Sequence, residues 1–199
     1  MARPRAFDEG EVLDAALRCF WTRGYEATSV RDLASSMGLT GASLYNAFGD
    51  KRALYEKVLE RYASHSMAER IRRLEAPDIA PRDAISSFFR ETLERALDDP
   101  EMKGCFVVNA AVEMGPHDPE LRAAALASLG EVEAFLTRRI EAGRADGTIQ
   151  NRETAQELAR MLLGVHLGLR VLARLRPGRE LLEGVVKPAL AALDPHVPG

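Results

Sequence analysis

The chain has 199 residues, 46% of them hydrophobic and 29% charged, which is enough apolar material for a packed core and excludes a disordered tail or a disulfide-stapled peptide. Its 27 Lys and Arg against 30 Asp and Glu give a net charge of −3 and a pI near 5.9, so it is not a generally basic polyanion binder. Cys19 and Cys105 stand far apart without ligand spacing and support neither a disulfide framework nor a zinc site; such usage fits a reducing cytoplasm.

Aromatic residues are only 6% of the chain, alternating runs are almost absent, and Ala, Leu, Glu and Arg dominate, so an all-α fold is expected. The first helix is predicted from Asp8 to Arg23, because Val12, Leu13, Ala16, Leu17 and Phe20 recur on one face; Gly24 closes it. Ser29 and Asp32 have the spacing of a capping box for a short helix that carries Val30, Leu33 and Ala34 inward and stops at Gly38. Thr40 caps the next helix, two turns from Gly41 to about Ala47, and Asp50 caps a longer one predicted to run to Leu74.

The prolines of residues 76–81 mark a linker. Beyond it, helices are predicted at about 81–97, 103–114, 119–142, 152–175 and 179–193, with breaks at Asp99-Pro100, Gly115-Pro116, Asp146-Gly147 and Pro177-Gly178. The chain start carries no apolar run of the secretory kind, and Met161–Leu175 is too short to span a bilayer and contains Arg170 and Arg174. The expectation is a soluble cytoplasmic protein with no membrane partner.

Two short helices joined by a glycine-containing turn, with a longer helix on each side, have the spacing of a helix-turn-helix whose second member enters a major groove. The runs Phe20–Ala34 (FWTRGYEATSVRDLA) and Gly38–Lys51 (GLTGASLYNAFGDK), followed by Leu54-Tyr55, resemble the DNA-binding domain of TetR-type transcriptional regulators. The resemblance covers residues 6–66 and implies a helix-turn-helix DNA-binding domain there, joined by a long helix to an effector-binding and dimerisation domain at 77–195. It further implies a homodimer paired through the last two helices that binds double-stranded operator DNA and is released by a small molecule.

By position in the family pattern, Thr28 and Ser29 would meet phosphate, and Lys51 would add a contact at the start of the fourth helix. Thr40, Gly41, Ser43, Tyr45 and Asn46 would form the reading surface, with Leu44 counted in the same set, and Arg3 and Arg5 resemble a basic arm of the kind that enters a minor groove. Residues 1–62 carry nine basic and nine acidic side chains. The positive surface is therefore expected to be local, and the salt dependence of binding modest.

In the C-terminal part, Cys105 is expected in the first turn of a helix near Lys103, where the helix dipole and a cation would favour an anion. The Gly104-Cys105 stretch also resembles a segment in a subgroup of TetR-type regulators that includes responders to electrophiles or oxidants. Packing as a small hydrophobe is the other reading of this thiol. His166, inside an apolar helix, is either a satisfied core group or a polar fixing point in a ligand cavity that Asn109, Glu113 and Met114 could share. Cys19 reads as packing.

The expected effector is small and either hydrophobic or electrophilic. The histidines show no metal spacing, so neither a metal nor a cofactor is implied. No nucleophile elbow, Walker loop or dinucleotide fingerprint occurs, so no enzyme is predicted; the alternative reading is a helical thiol-based redox protein or an enzyme not acting on DNA.

Overall fold

The structure, a computed structural model, describes residues 8–175 and 178–194. Arg3, Arg5 and the Pro177 break lie outside the described residues. Among those described, every regular element is helical.

Helix α1 (Glu9–Arg23) starts where the Asp8 carboxylate accepts from the Gly10 and Glu11 amides, and ends at Gly24, whose φ of 83° lets its N–H return to the Phe20 carbonyl. Helix α2 (Val30–Ser36) opens on the expected Ser29–Asp32 capping box. Thr40 caps α3 (Gly41–Phe48), and Asp50 caps α4 (Lys51–Tyr62). The predicted continuous helix to Leu74 is interrupted by a π-helical turn at Ala63–Met67 before α5 (Ala68–Leu74). There the Ser64 hydroxyl donates to the Arg61 carbonyl at 3.2 Å, a side-chain bond of the sort that competes with the helical ladder.

Helix α6 (Pro81–Leu97) begins on a first-turn proline, which needs no amide partner there. Helix α7 (Phe106–Glu113) starts three residues later than expected, because Gly104 adopts a φ of 67° and donates its N–H to Asp99, keeping residues 103–105 in a loop. Asp118 caps α8 (Pro119–Ala145), which runs three residues beyond the predicted end. A Thr154–Glu157 capping box delays α9 (Ala155–Leu172) relative to expectation, and a single 3₁₀ turn (Ala173–Leu175) follows it. Helix α10 (Arg179–Ala191) completes the described chain.

The buried side chains form two cores. One joins α5, α6, the later turns of α8, α9 and α10 around Phe88, Phe89, Phe135, Leu162 and Leu182. The other joins α1–α4 around Phe20, Leu33, Leu44, Leu54 and Tyr55, and includes Cys105, Phe106, Ala110 and Met114 together with Leu121 and Ala125 of α8. Helix α7 and the start of α8 thus pack with the N-terminal unit although they lie beyond the 76–81 linker. At roughly 1.5–3 kcal/mol for each large apolar side chain removed from water, this shared core couples the two halves of the chain.

Candidate nucleic-acid interface and its coupling to the body

The inner face of the helix-turn-helix is fixed by Leu33 and Leu44, each fully buried against α1 and α4. That packing turns Thr40, Tyr45 and Asn46 outward; Tyr45 is 51% exposed, uncommon for so large a ring. Thr40 donates its hydroxyl to Ser43 Oγ at 2.9 Å and accepts from the Ser43 amide, so cap and surface roles coincide. A Cβ at Gly41 would meet nothing within 4 Å, so the fold itself does not require glycine at that position. Lys51 places its Nζ 4.2 Å over the Tyr25 ring, which steers the ammonium at the start of α4.

Two expected contacts are corrected. Thr28 is fully buried and donates its hydroxyl to the Gly24 carbonyl at 2.6 Å, closing the α1–α2 turn instead of facing solvent. Leu44 is a core residue with no exposed surface. Ser29 is exposed, but its hydroxyl serves the capping box, donating to Asp32 at 2.5 Å. That bond and the Ser29 amide, with Arg23 at 2.7 Å, hold Asp32 down at a pKa of about 2.

The coupling of this unit to the body is dense and was not anticipated. Glu113, at the end of α7, accepts from the backbone amides of Tyr25 and Glu26, each at 3.0 Å. The Trp21 indole donates to the Lys103 carbonyl at 3.1 Å, which Asn109 also uses at 2.9 Å. Arg52 of α4 makes a bidentate pair with Asp118 at 2.6 and 3.0 Å and also reaches Glu120. The guanidinium, helped by the Leu121 amide, brings Asp118 down to a pKa of about 2. Phe106 enters an aromatic group with Tyr55, Tyr62 and Trp21 at centroid distances of 5.2–6.2 Å.

Cys105 sits at this joint. It is the N-cap residue of α7 and not a first-turn residue; its thiol caps no amide, is 4% exposed, and faces the Tyr62 hydroxyl at 3.9 Å. Burial pushes the Tyr62 phenol well above its usual range. Arg170 of α9 donates to the Gly104 carbonyl, one peptide before the thiol. Lys103 is instead paired with Glu101 at 2.6 Å.

Of the two readings of His166, the ligand cavity shared with Asn109, Glu113 and Met114 is not assembled. Asn109 and Glu113 line a cleft of about 230 Å³ against Phe20, Trp21 and Tyr55, and Met114 is buried in the N-terminal core. His166 lies elsewhere, 2% exposed, its ring 4.9 Å from Phe88 and its Nδ1 3.5 Å from the Thr92 hydroxyl. Burial first, then the charges of Arg170 and Arg70, lowers its pKa to about 3. It is a neutral core histidine.

The sequence profile of "Bacterial regulatory proteins, tetR family" matches residues 12–58, and that of "Tetracyclin repressor-like, C-terminal domain" matches residues 81–187. The chain belongs to the TetR family. It is 34% identical over 196 residues to the uncharacterized HTH-type transcriptional regulator YezE of Bacillus subtilis, covering 98% of this chain and 100% of YezE. Identity to the HTH-type transcriptional repressor ComR of Escherichia coli is 27%, over 86% of this chain and 82% of ComR. The structure of a cysteine mutant of the TetR-family regulator CifR, complexed with 26-bp double-strand operator DNA, is similar at a TM-score of 0.83 and 36% identity, covering 96% of this chain and 99% of that one. This TetR-family chain is therefore a helix-turn-helix transcriptional regulator. Among its described residues no helix is long and apolar enough to cross a membrane.

Proposed function

We propose that this regulator is a homodimeric repressor that holds a palindromic operator through α3 and lets go when an electrophile or a small apolar effector acts on the body, with Cys105 the reacting group in the first case. The observation that carries the reading is the path of α7. One end of this short helix holds the Cys105 thiol, and the other end holds Glu113, bonded to the α1–α2 turn that orients the reading helix. A bulky adduct on a thiol packed against Tyr62 and Phe106 has no room without moving α7. That motion pulls on Glu113 and on the Trp21–Lys103 bond together.

In the dimer the reading helices would sit about one DNA turn, roughly 34–36 Å, apart, so a small rotation of each unit loses contacts in both half-sites. The effect requires that the modified protein favour the DNA-incompetent arrangement. Support for pairing comes from α9, the 3₁₀ turn that follows it and α10, whose exposed faces carry Met161, Val171, Leu175 and Leu181 beside Gly164, Gly168 and Gly184, an apolar surface with open space over each glycine. A second copy of the chain is the occupant proposed, and the cytoplasm the proposed location.

Footprinting on the DNA upstream of the chain's own gene tests the reading. A protected palindrome is expected, lost or weakened at least tenfold in Tyr45→Ala and Asn46→Ala, since one good base contact is worth about 1–3 kcal/mol. Protection retained at full strength in both variants would reject α3 as the reader.

A further inference from the structure

A half-open groove of about 350 Å³ lies between the interrupted α4–α5 helix and α8, with Glu60, Ser64, Ala68, Ala127 and Glu131 of its lining exposed. Leu59, Ala63, Met67 and Ala68 form one wall, and Ala124 and Ala127 the other. Because the facing residues of α8 are small, the two helices do not interlock there. The π turn at Ala63–Met67 lies along this wall, a backbone irregularity of a kind often found at functional sites. The volume falls within the roughly 300–1,000 Å³ range of small-molecule sites.

The charged residues lining the groove are both acidic. Glu60 and Glu131 contribute carboxylates from opposite walls, and no Lys, Arg or His lines the space with them. The neighbouring Arg61 is turned away into its pair with Asp14 at 2.8 Å. A mostly apolar space flanked by two carboxylates complements a compact ligand with an apolar body and a diffuse positive charge. It would repel a fatty acid or another anion.

The geometry points to a binding site here for lipophilic organic cations. The site's location gives it leverage. Farther up the same two helices, Arg52 ties α4 to Asp118 and Glu120 at the start of α8, and a ligand wedged between the alanines would spread the helices below that tie. Occupancy is thus expected to tilt the DNA-binding unit. This output rests on the operator-binding reading above; the binding itself does not.

Isothermal titration of the full chain with tetraphenylphosphonium and with tetraphenylborate, ions of closely matched shape and opposite charge, separates the two. The phosphonium is expected to saturate at one per protomer with a dissociation constant of about 100 µM, the scale for a ligand of this size held in a half-open groove, while the borate does not bind. Glu60→Gln and Glu131→Gln should each weaken the phosphonium about two- to fivefold, a through-space charge effect at exposed, solvent-screened sites. Ala127→Leu, which fills the groove from an exposed helix position, should abolish binding while leaving the helical circular dichroism and melting temperature unchanged. Absence of saturable phosphonium binding, equal binding of the borate, or indifference to the glutamine and leucine variants would overturn the site. Saturable binding by a chain that gives no footprint would preserve the site and reject only its regulatory output.

Discussion

His166 carries a polar ring in the body core, hydrogen-bond distance from Thr92 and packed on Phe88, in the field of Arg70 and Arg170. Arg70 is itself buried, bonded to Glu91 at 2.9 Å and to the Phe88 carbonyl, and burial lowers its pKa to about 10. Among the described residues no carboxylate pairs with this imidazole, so the folded chain refuses the proton that the unfolded chain takes up below pH 6.5. With the folded value near 3, stability is full above pH 6.5 and falls as the pH drops from there toward 3, by about 1.4 kcal/mol per unit for this one group. Urea denaturation at pH 7 and pH 5 should therefore show a loss of about 2 kcal/mol in the wild type that His166→Leu removes. An unchanged pH slope in the variant would mean that other groups set it. The residue's burial was one of two readings open in the sequence, since an apolar helix face looks the same whether it meets a core or a ligand cavity.

At the scale of elements, what was legible was what is local. Ser29 with Asp32, Thr40, Asp50 and Gly24 announce helix ends within four residues, and the structure has each of them capping as expected. The interruption of α4–α5 left no such mark, because the apolar stripe continues through it; only the polar Ser64, His65 and Ser66 hinted at it. The joint between α7 and the reading unit was hidden for a different reason. Its partners, Tyr25 with Glu113 and Arg52 with Asp118, are 88 and 66 residues apart, and nothing in spacing connects them. Cys105 and Glu113 were visible as candidates, but their shared helix was expected to face a ligand cavity rather than the DNA-binding unit. Glu113→Ala should cost about 1–2 kcal/mol by removing the charged acceptor of two backbone donors, the Tyr25 amide partly buried and the Glu26 amide exposed, read as a lower urea midpoint. Gly24→Ala should act on the same bond. Its Cβ would stand 3.1 Å from the Glu113 carboxylate at a backbone φ of 83°, adding ~1–2 kcal/mol of strain. Both variants should also weaken operator binding although neither residue is part of α3; full affinity in both would show that the joint does not position the reader.

For the whole molecule, the net charge of −3 is matched by a DNA-binding unit whose basic residues are partly spent internally. Arg23 pairs with Asp32, Arg52 with Asp118 and Arg61 with Asp14. Operator affinity should therefore show a shallow salt dependence, equivalent to fewer than about eight phosphates per half-site; a steeper slope would mean that the basic arm or unpaired lysines dominate. The proposed dimer face gives a second expectation at this scale. Val171 is 50% exposed and Leu181 52%, so a Val171→Glu, Leu181→Glu double variant should sediment as a folded monomer and lose the operator. A variant that remains dimeric would move the interface elsewhere.

The proposed relay runs from the Cys105 thiol through α7 to the reading helix. It is tested most directly by operator affinity before and after alkylation with N-ethylmaleimide, measured by fluorescence anisotropy with adduct formation followed by mass spectrometry. Alkylated wild type and alkylated Cys19→Ser are expected to lose at least tenfold in affinity, while Cys105→Ser keeps its affinity under the same treatment. Wild type that binds the operator undiminished with Cys105 fully alkylated, or a Cys105→Ser variant that loses affinity as the wild type does, would contradict the account.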